Sequence, residues 1–224
     1  MNLYPVAIIE NFYEKPDAIR EFALAQNFTY CKEVPNIEYV YPGGRTQDLS
    51  KLDIVLYDKI CTKLVSVFHN AEYDMMRWSI TTSFQSVTDK YGRGVIHTDH
   101  NTVFAGVLYL TSNAPLNSGT SLFKKNKTFN EAKYQQALVE NDEHFKGGEI
   151  AMDTSYHSMF DEIVRVNNVY NTLIIYEGRH FHAANEFFGK TLQDSRLAQV
   201  FFINKIDAQK QTVFPISRIN AIKV

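Results

Sequence analysis

The segment Gly94-Val95-Ile96-His97-Thr98-Asp99 sets a histidine and an aspartate two residues apart. On an extended chain, residues i and i+2 point to the same side. An imidazole and a carboxylate on one side are two arms of a metal clamp. Candidates for the third arm lie in Tyr176–Gly189, where His180 and His182 again stand two apart, after the apolar run Leu173-Ile174-Ile175-Tyr176. On a strand the two would share a face, so spacing leaves either as the third arm. Two histidines and one carboxylate on one side of an ion suit iron(II) and leave three positions open. Those positions can take a bidentate co-substrate and dioxygen. A dicarboxylate co-substrate also needs an anchor for its far end. Arg196 opens the apolar run Leu197-Ala198-Gln199-Val200-Phe201-Phe202, and a guanidinium can hold a carboxylate by two parallel hydrogen bonds.

Other polar residues are weighed against these. Gln85, in Thr81–Val87, is placed to line a pocket. Arg45, in Tyr41-Pro42-Gly43-Gly44-Arg45, and Arg179 are candidate contacts for a polar substrate, as is His180 if it is not a ligand. His100 has an odd offset from Asp99, which turns it away as a solvated loop histidine. His69, His144 and His157 have no partners in sequence and read as surface residues. Lys124, Lys125, Lys127 and Lys133 read as a solvated face.

Positioning these groups requires a β-rich frame. Val6–Ile9 reads as a short strand, and Pro16 can open a helix that Asn27 ends. A second helix is expected from about Ser50 to Phe68. Ser50 with Asp53 suggests a capping box, and Leu52, Leu56, Ile60, Leu64 and Phe68 form one stripe. Strands are then expected over Trp78–Val87, Val103–Leu110, Thr120–Phe123, Ile163–Val166, Thr172–Tyr176, His180–Ala184 and Leu197–Ile203. Such density predicts a sandwich or barrel. Residues 124–149 break the pattern as a polar insertion over one end of the barrel, with a helix from Asn130 to Glu140. The expected organisation is a single domain over 1–224. It has helical support over 1–77, a core over 78–204 and a C-terminal extension over 205–224.

Composition fits a soluble globular chain of 224 residues, 45% apolar and 21% charged. The 16 Phe and 13 Tyr favour a β-rich core or a well-walled pocket. Net charge is −2, from 23 basic and 25 acidic residues, with no basic run to suggest nucleic-acid binding. No apolar stretch approaches the ~18 residues of a membrane helix. The opening Met-Asn-Leu-Tyr-Pro-Val lacks the features of a secretory signal. A cytoplasmic location is therefore expected, with Cys31 and Cys61 as free thiols.

The order His97-x-Asp99, a distant His182, then Arg196 heading an apolar strand resembles the iron(II)/2-oxoglutarate-dependent oxygenases, and most of all their prolyl-hydroxylase-like branch. Gly106–Thr111, "GVLYLT", is similar to that branch's strand whose tyrosine binds 2-oxoglutarate. Ser118–Phe123, "SGTSLF", is similar to the strand that follows it, with Ser118 in place of a glycine. The chain is also similar to bacterial and phage members of unknown substrate. The resemblance implies a double-stranded β-helix, a cupin-like jelly roll. It implies His97, Asp99 and His182 as ligands of Fe(2+), with His182 rather than His180 as the distal histidine. Arg196 and Tyr109 would bind 2-oxoglutarate. One atom of O2 would enter a C–H bond of a peptidyl residue, amino acid or small metabolite, and the other would enter succinate. Asp99 favours hydroxylation, since the related halogenases replace that carboxylate with a small residue. Two rival readings are a cupin-like dioxygenase without 2-oxoglutarate and a non-catalytic barrel module, such as a phage structural part. Arg196 speaks against the first, and the complete ligand set against the second.

Overall fold

The structure is a computed structural model that describes residues 5–37, 40–67, 76–99, 101–148 and 153–208. His69, His100, the expected helix end at Phe68 and most of the C-terminal extension lie outside the described residues. In chain order the elements are β1 (Val6–Ile9), α1 (Pro16–Leu24), β2 (Thr29–Tyr30), β3 (Gly44–Arg45), α2 (Leu49–Leu52) and α3 (Ile54–Ser66). There follow β4 (Met76–Val87), β5 (Phe104–Tyr109), β6 (Thr120–Lys125), α4 (Glu131–Gly147), β7 (Phe160–Val166), β8 (Leu173–Glu177), β9 (Phe181–Ala184) and β10 (Arg196–Ala208).

Two antiparallel sheets make a jelly roll, the double-stranded β-helix. The larger has the order β1-β8-β5-β10-β4-β3-β2, and the smaller β7-β6-β9. Alternation along β10 sorts its residues between two environments. Leu197, Phe201 and Ile203 pack with Ile80, Phe84 and Leu108 against Ala23 of α1 and Ile60, Cys61 and Leu64 of α3. Each such burial contributes about 1.5–3 kcal/mol before the entropic cost of ordering. Arg196, Ala198, Val200 and Phe202 turn the other way, sharing a face with Tyr109, Val107 and Ala105 of β5. That face meets Leu122 and Val166 of the smaller sheet. The barrel interior, where a site can sit, lies between them.

The expected second helix is two helices. Asp48 accepts from Ser50 N–H at 2.9 Å and caps α2, while Asp53 accepts from Leu56 N–H at 2.9 Å and caps α3. Ser50 and Asp53 therefore form no capping box. Asp53 has an extended backbone, and its carboxylate serves the next helix instead of continuing the first. Strands β2 and β3 are two residues each, too short to show any periodicity. Cys31 and Cys61 are buried free thiols, as expected.

The polar insertion also sits differently from its expected place. Its helix, α4, is capped by Asn130 and packs Tyr134 and Ala137 against Phe123, Phe160 and Ala183, on the outer face of the smaller sheet. A few apolar residues on one side of a polar helix were enough to fix that docking. Among the described residues no helix is long and apolar enough to cross a membrane.

Candidate metal centre

His182 lies in β9 opposite Leu122 of β6, and Leu122 belongs to the interior face. The chain at 94–97 runs antiparallel to β9 without forming a full strand. Gly94 N–H donates to Ala184 O at 3.0 Å, and His97 and His182 exchange backbone bonds of 3.1 and 2.9 Å. A Cβ on Gly94 would stand 2.7 Å from Ala184 N, so the approach requires glycine there. Between these bonds, Ile96 faces away and is held by two tyrosines. Its N–H donates to Tyr156 Oη at 2.8 Å, and its carbonyl accepts from Tyr134 Oη at 3.2 Å. The insertion, through Tyr134, and the turn at Ser155–Met159, through Tyr156, thus secure the segment that carries His97. Asp99 is fixed by its own N–H, donated to Gly178 O at 2.7 Å.

The result is a cluster. Ligand atoms of His97, Asp99 and His182 all lie within 4.8 Å of one another. Nε2 of His97 is 3.6 Å from Asp99 Oδ1, and Nε2 of His182 is 3.4 Å from Oδ2. Side-chain exposure falls from 44% at His97 to 16% at Asp99 and 5% at His182, so the cluster opens on one side. Each imidazole uses Nδ1 on a backbone carbonyl two residues upstream: Val95 O at 2.9 Å and His180 O at 2.8 Å. A carbonyl only accepts, so each Nδ1 carries a proton, which leaves Nε2 facing the cluster as the atom that can offer a lone pair to a metal. These are the donors a facial divalent site needs, and they fit one.

Electrostatics agree. Burial would raise the Asp99 carboxyl, but the adjoining His182 and His97 outweigh it and hold the group well below the usual carboxylate range. Burial would lower His97, but its contact with Asp99 raises it above its ordinary value.

Arg196 begins β10 and is 5% exposed. Nε donates to Ser118 O at 3.0 Å, and Nη2 reaches Gly119 O and Thr120 Oγ1, both at 3.4 Å. Tyr109 donates from its hydroxyl to Thr120 Oγ1 at 3.0 Å, and its ring centroid is 5.5 Å from Arg196 Cζ. Among the described residues no carboxylate pairs with this guanidinium. Tyr176 lies between the two groups of residues. Its ring is 4.6 Å from that of His182, and the charges of Asp99 and Arg196 both act on its hydroxyl. Tyr176 and Thr120 were not singled out as site residues from sequence. Alternation in Leu173–Glu177 was the available signal for Tyr176, which shares a face with Ile174.

The remaining candidates separate. Arg45 and Gln85 are register partners on the interior face, with Nη2 3.5 Å from Gln85 Oε1. Arg179 and His180 stand at the turn before β9, beside Glu177. Arg179 Nε donates to Glu177 Oε2 at 2.6 Å, and His180 Nε2 is 3.6 Å from the same oxygen. His180 precedes the strand, so alternation does not aim it with His182. His157, expected at the surface, is half-buried, and burial lowers it to about 4.

A family model described as "Family of unknown function (DUF6445)" matches residues 2–197. No curated protein sequence matches the chain. Among solved structures, the chain is similar to EvdO2 from Micromonospora carbonacea var. aurantiaca complexed with 2-oxoglutarate. That likeness has a TM-score of 0.52 and 14% identity, over 93% of this chain and 90% of that one. HygX from Streptomyces hygroscopicus with nickel and 2-oxoglutarate bound gives a TM-score of 0.51 and 10% identity, over 88% and 82% of the two chains. At these identities the likeness establishes the fold.

Proposed function

The chain belongs to that family of unknown function, and from its site we propose that it is an iron(II)- and 2-oxoglutarate-dependent oxygenase. The observation that carries the reading is a three-donor cluster and a buried, carboxylate-free guanidinium in one barrel. A buried arginine without a counter-ion is costly. A dicarboxylate reaching from the metal centre supplies that charge. The cupin-like alternative leaves Arg196 without a role. Two similar folds hold 2-oxoglutarate, which supports the choice of co-substrate.

His97, Asp99 and His182 would hold Fe(2+). Bound iron, with 2-oxoglutarate and O2, supplies oxidation of an unactivated C–H bond, with succinate and CO2 as co-products. The protein's part is to bind and orient. Nδ1 contacts hold both imidazoles turned inward with Nε2 toward the cluster. Arg196 would take the distal carboxylate with Tyr109 and Thr120 beside it, and Tyr176 would line the span between. Asp99 completes the ligand set and favours hydroxylation of a peptidyl residue, amino acid or small metabolite.

Calorimetric titration of 2-oxoglutarate into the manganese(II) form tests the reading. Arg196→Lys keeps the charge and loses the planar fork. It should weaken 2-oxoglutarate by about tenfold or more, roughly 1.4 kcal/mol per decade. Tyr109→Phe should do so more mildly, and metal affinity alone should be unchanged in both. Equal 2-oxoglutarate affinity in wild type, Arg196→Lys and Arg196→Ala would refute it.

A further inference from the structure

The barrel interior holds a second guanidinium. Arg45 shares a face with Gln85, and through it with Ala198 and Tyr109. Its plane is fixed from several directions. Cζ lies 4.3 Å from the Tyr41 ring centroid and 5.4 Å from that of Phe202. Gln85 donates from Nε2 to Pro42 O at 2.8 Å, which orients its amide so that Oε1 faces Arg45 Nη2. Yet Arg45 Nε is buried and makes no hydrogen bond among the described residues. Nor does any carboxylate among them form an ion pair with it. The nearby acid is Asp99, whose charge acts on Arg45 but whose oxygens face the two imidazoles.

A pre-oriented guanidinium with an unfilled buried edge, on the interior face of the barrel that holds the His97–Asp99–His182 cluster, is built for an anion. It is not the Arg196 site. The Arg45 guanidinium packs on the rings of Tyr41 and Phe202, whereas that of Arg196 packs on those of Tyr109 and Phe187. The two sets do not overlap. A phosphate is gathered by several N–H groups or a helix terminus. One planar fork held against aromatic rings matches a planar carboxylate. Building on the oxygenase reading, we propose that the substrate is a small carboxylate-bearing molecule whose acid group binds Arg45, with the bond to be oxidised held toward the His97–Asp99–His182 cluster.

The test uses the manganese(II) protein with and without 2-oxoglutarate, so that binding is read without turnover. Probes are the common amino acids and phenylacetate, each beside its carboxamide, with inorganic phosphate as a separate arm. At least one acid should bind, and its carboxamide should bind at least about tenfold more weakly, as expected for loss of a charge-assisted pair. Arg45→Gln should erase that preference, and Arg45→Lys should retain part of it. 2-Oxoglutarate titrations should be unchanged in both variants, and metal titrations unchanged in Arg45→Lys, which keeps the charge felt at Asp99; together these report an intact barrel. Binding of no acid, equal binding of acid and carboxamide, or binding of phosphate alone overturns the proposal. So does weakened 2-oxoglutarate binding in Arg45→Gln, which would put Arg45 in the co-substrate site. A wild type that ignores 2-oxoglutarate refutes the oxygenase reading by itself, and the arm without 2-oxoglutarate then still judges Arg45.

Discussion

His97 and His182 are joined through their backbones: each donates its N–H to the other's carbonyl, at 3.1 and 2.9 Å. This bridge sets the separation of the two imidazoles without using either side chain. The rings are left to meet Asp99, with centroids 4.4 Å apart.

Removing a ring should therefore cost metal and spare the frame. His97→Ala, Asp99→Ala and His182→Ala should each lose divalent-metal binding at micromolar metal and keep a cooperative thermal transition. His180→Ala should keep most of the binding, because His180 stands at the turn beside Glu177. Calorimetry with manganese(II) on all four variants checks the pattern. Metal loss in His180→Ala with retention in His182→Ala would reverse the assignment of the distal ligand.

Proton competition should be visible at the cluster. His97 titrates above its ordinary value and binds metal only when neutral. Metal affinity should fall as pH drops through that raised value, beginning above about 6.5 and by at most about tenfold per pH unit for one proton. Apo stability follows opposite signs. The depressed Asp99 stabilises above about pH 4, and its contribution is lost as pH falls toward its folded value. The raised His97 stabilises fully below about pH 6.5, and its contribution is lost as pH rises through its folded value. His157, lowered by burial, acts with the opposite sign over this range, so the His97 contribution is read as a difference: the melting-temperature advantage of apo wild type over His97→Asn should shrink from about pH 6 to pH 8. A wild-type advantage that grows over this range would contradict the cluster's electrostatics.

Tyr156 acts on His97 through the preceding residue. Tyr156→Phe leaves the buried Ile96 N–H without its acceptor, at a cost of about 1–3 kcal/mol. Melting temperature and metal affinity should both fall, although no ligand is removed. Tyr134→Phe should do less, since its bond to Ile96 O is longer, at 3.2 Å. Loss of stability with unchanged metal affinity would show that the hydroxyl supports the fold and not the ligand's placement.

How much of this was legible in the sequence varies with the physics of each part. The long strands were readable because the β-formers of Trp78–Val87 and the apolar run within Leu197–Ile203 are local signals. His97 and Asp99 were readable as a pair because two-residue spacing fixes their direction on an extended chain. The choice of His182 over His180 was not available from spacing. It depends on where β9 starts, and that is set by pairing with β6. Tyr134 and Tyr156 were invisible as site residues because their partner, Ile96, is far away in sequence. The break at Asp53 was missed because capping depends on backbone geometry that the apolar stripe does not encode. Strand β3, which brings Arg45 to the interior, exists only through pairing with β4 on one side and β2 on the other.

The central claim is that one site holds iron(II) and 2-oxoglutarate together, and the visible spectrum tests it most directly. Under strict exclusion of oxygen, iron(II) is added to the protein and then 2-oxoglutarate is titrated in. Chelation of the metal by the 2-oxo acid should produce a weak, saturable charge-transfer band. The band should be absent with succinate in place of 2-oxoglutarate and absent in His97→Ala. In Arg196→Lys it should appear only at higher 2-oxoglutarate. A wild-type protein that binds iron(II) yet shows no such band at any 2-oxoglutarate concentration would contradict the account.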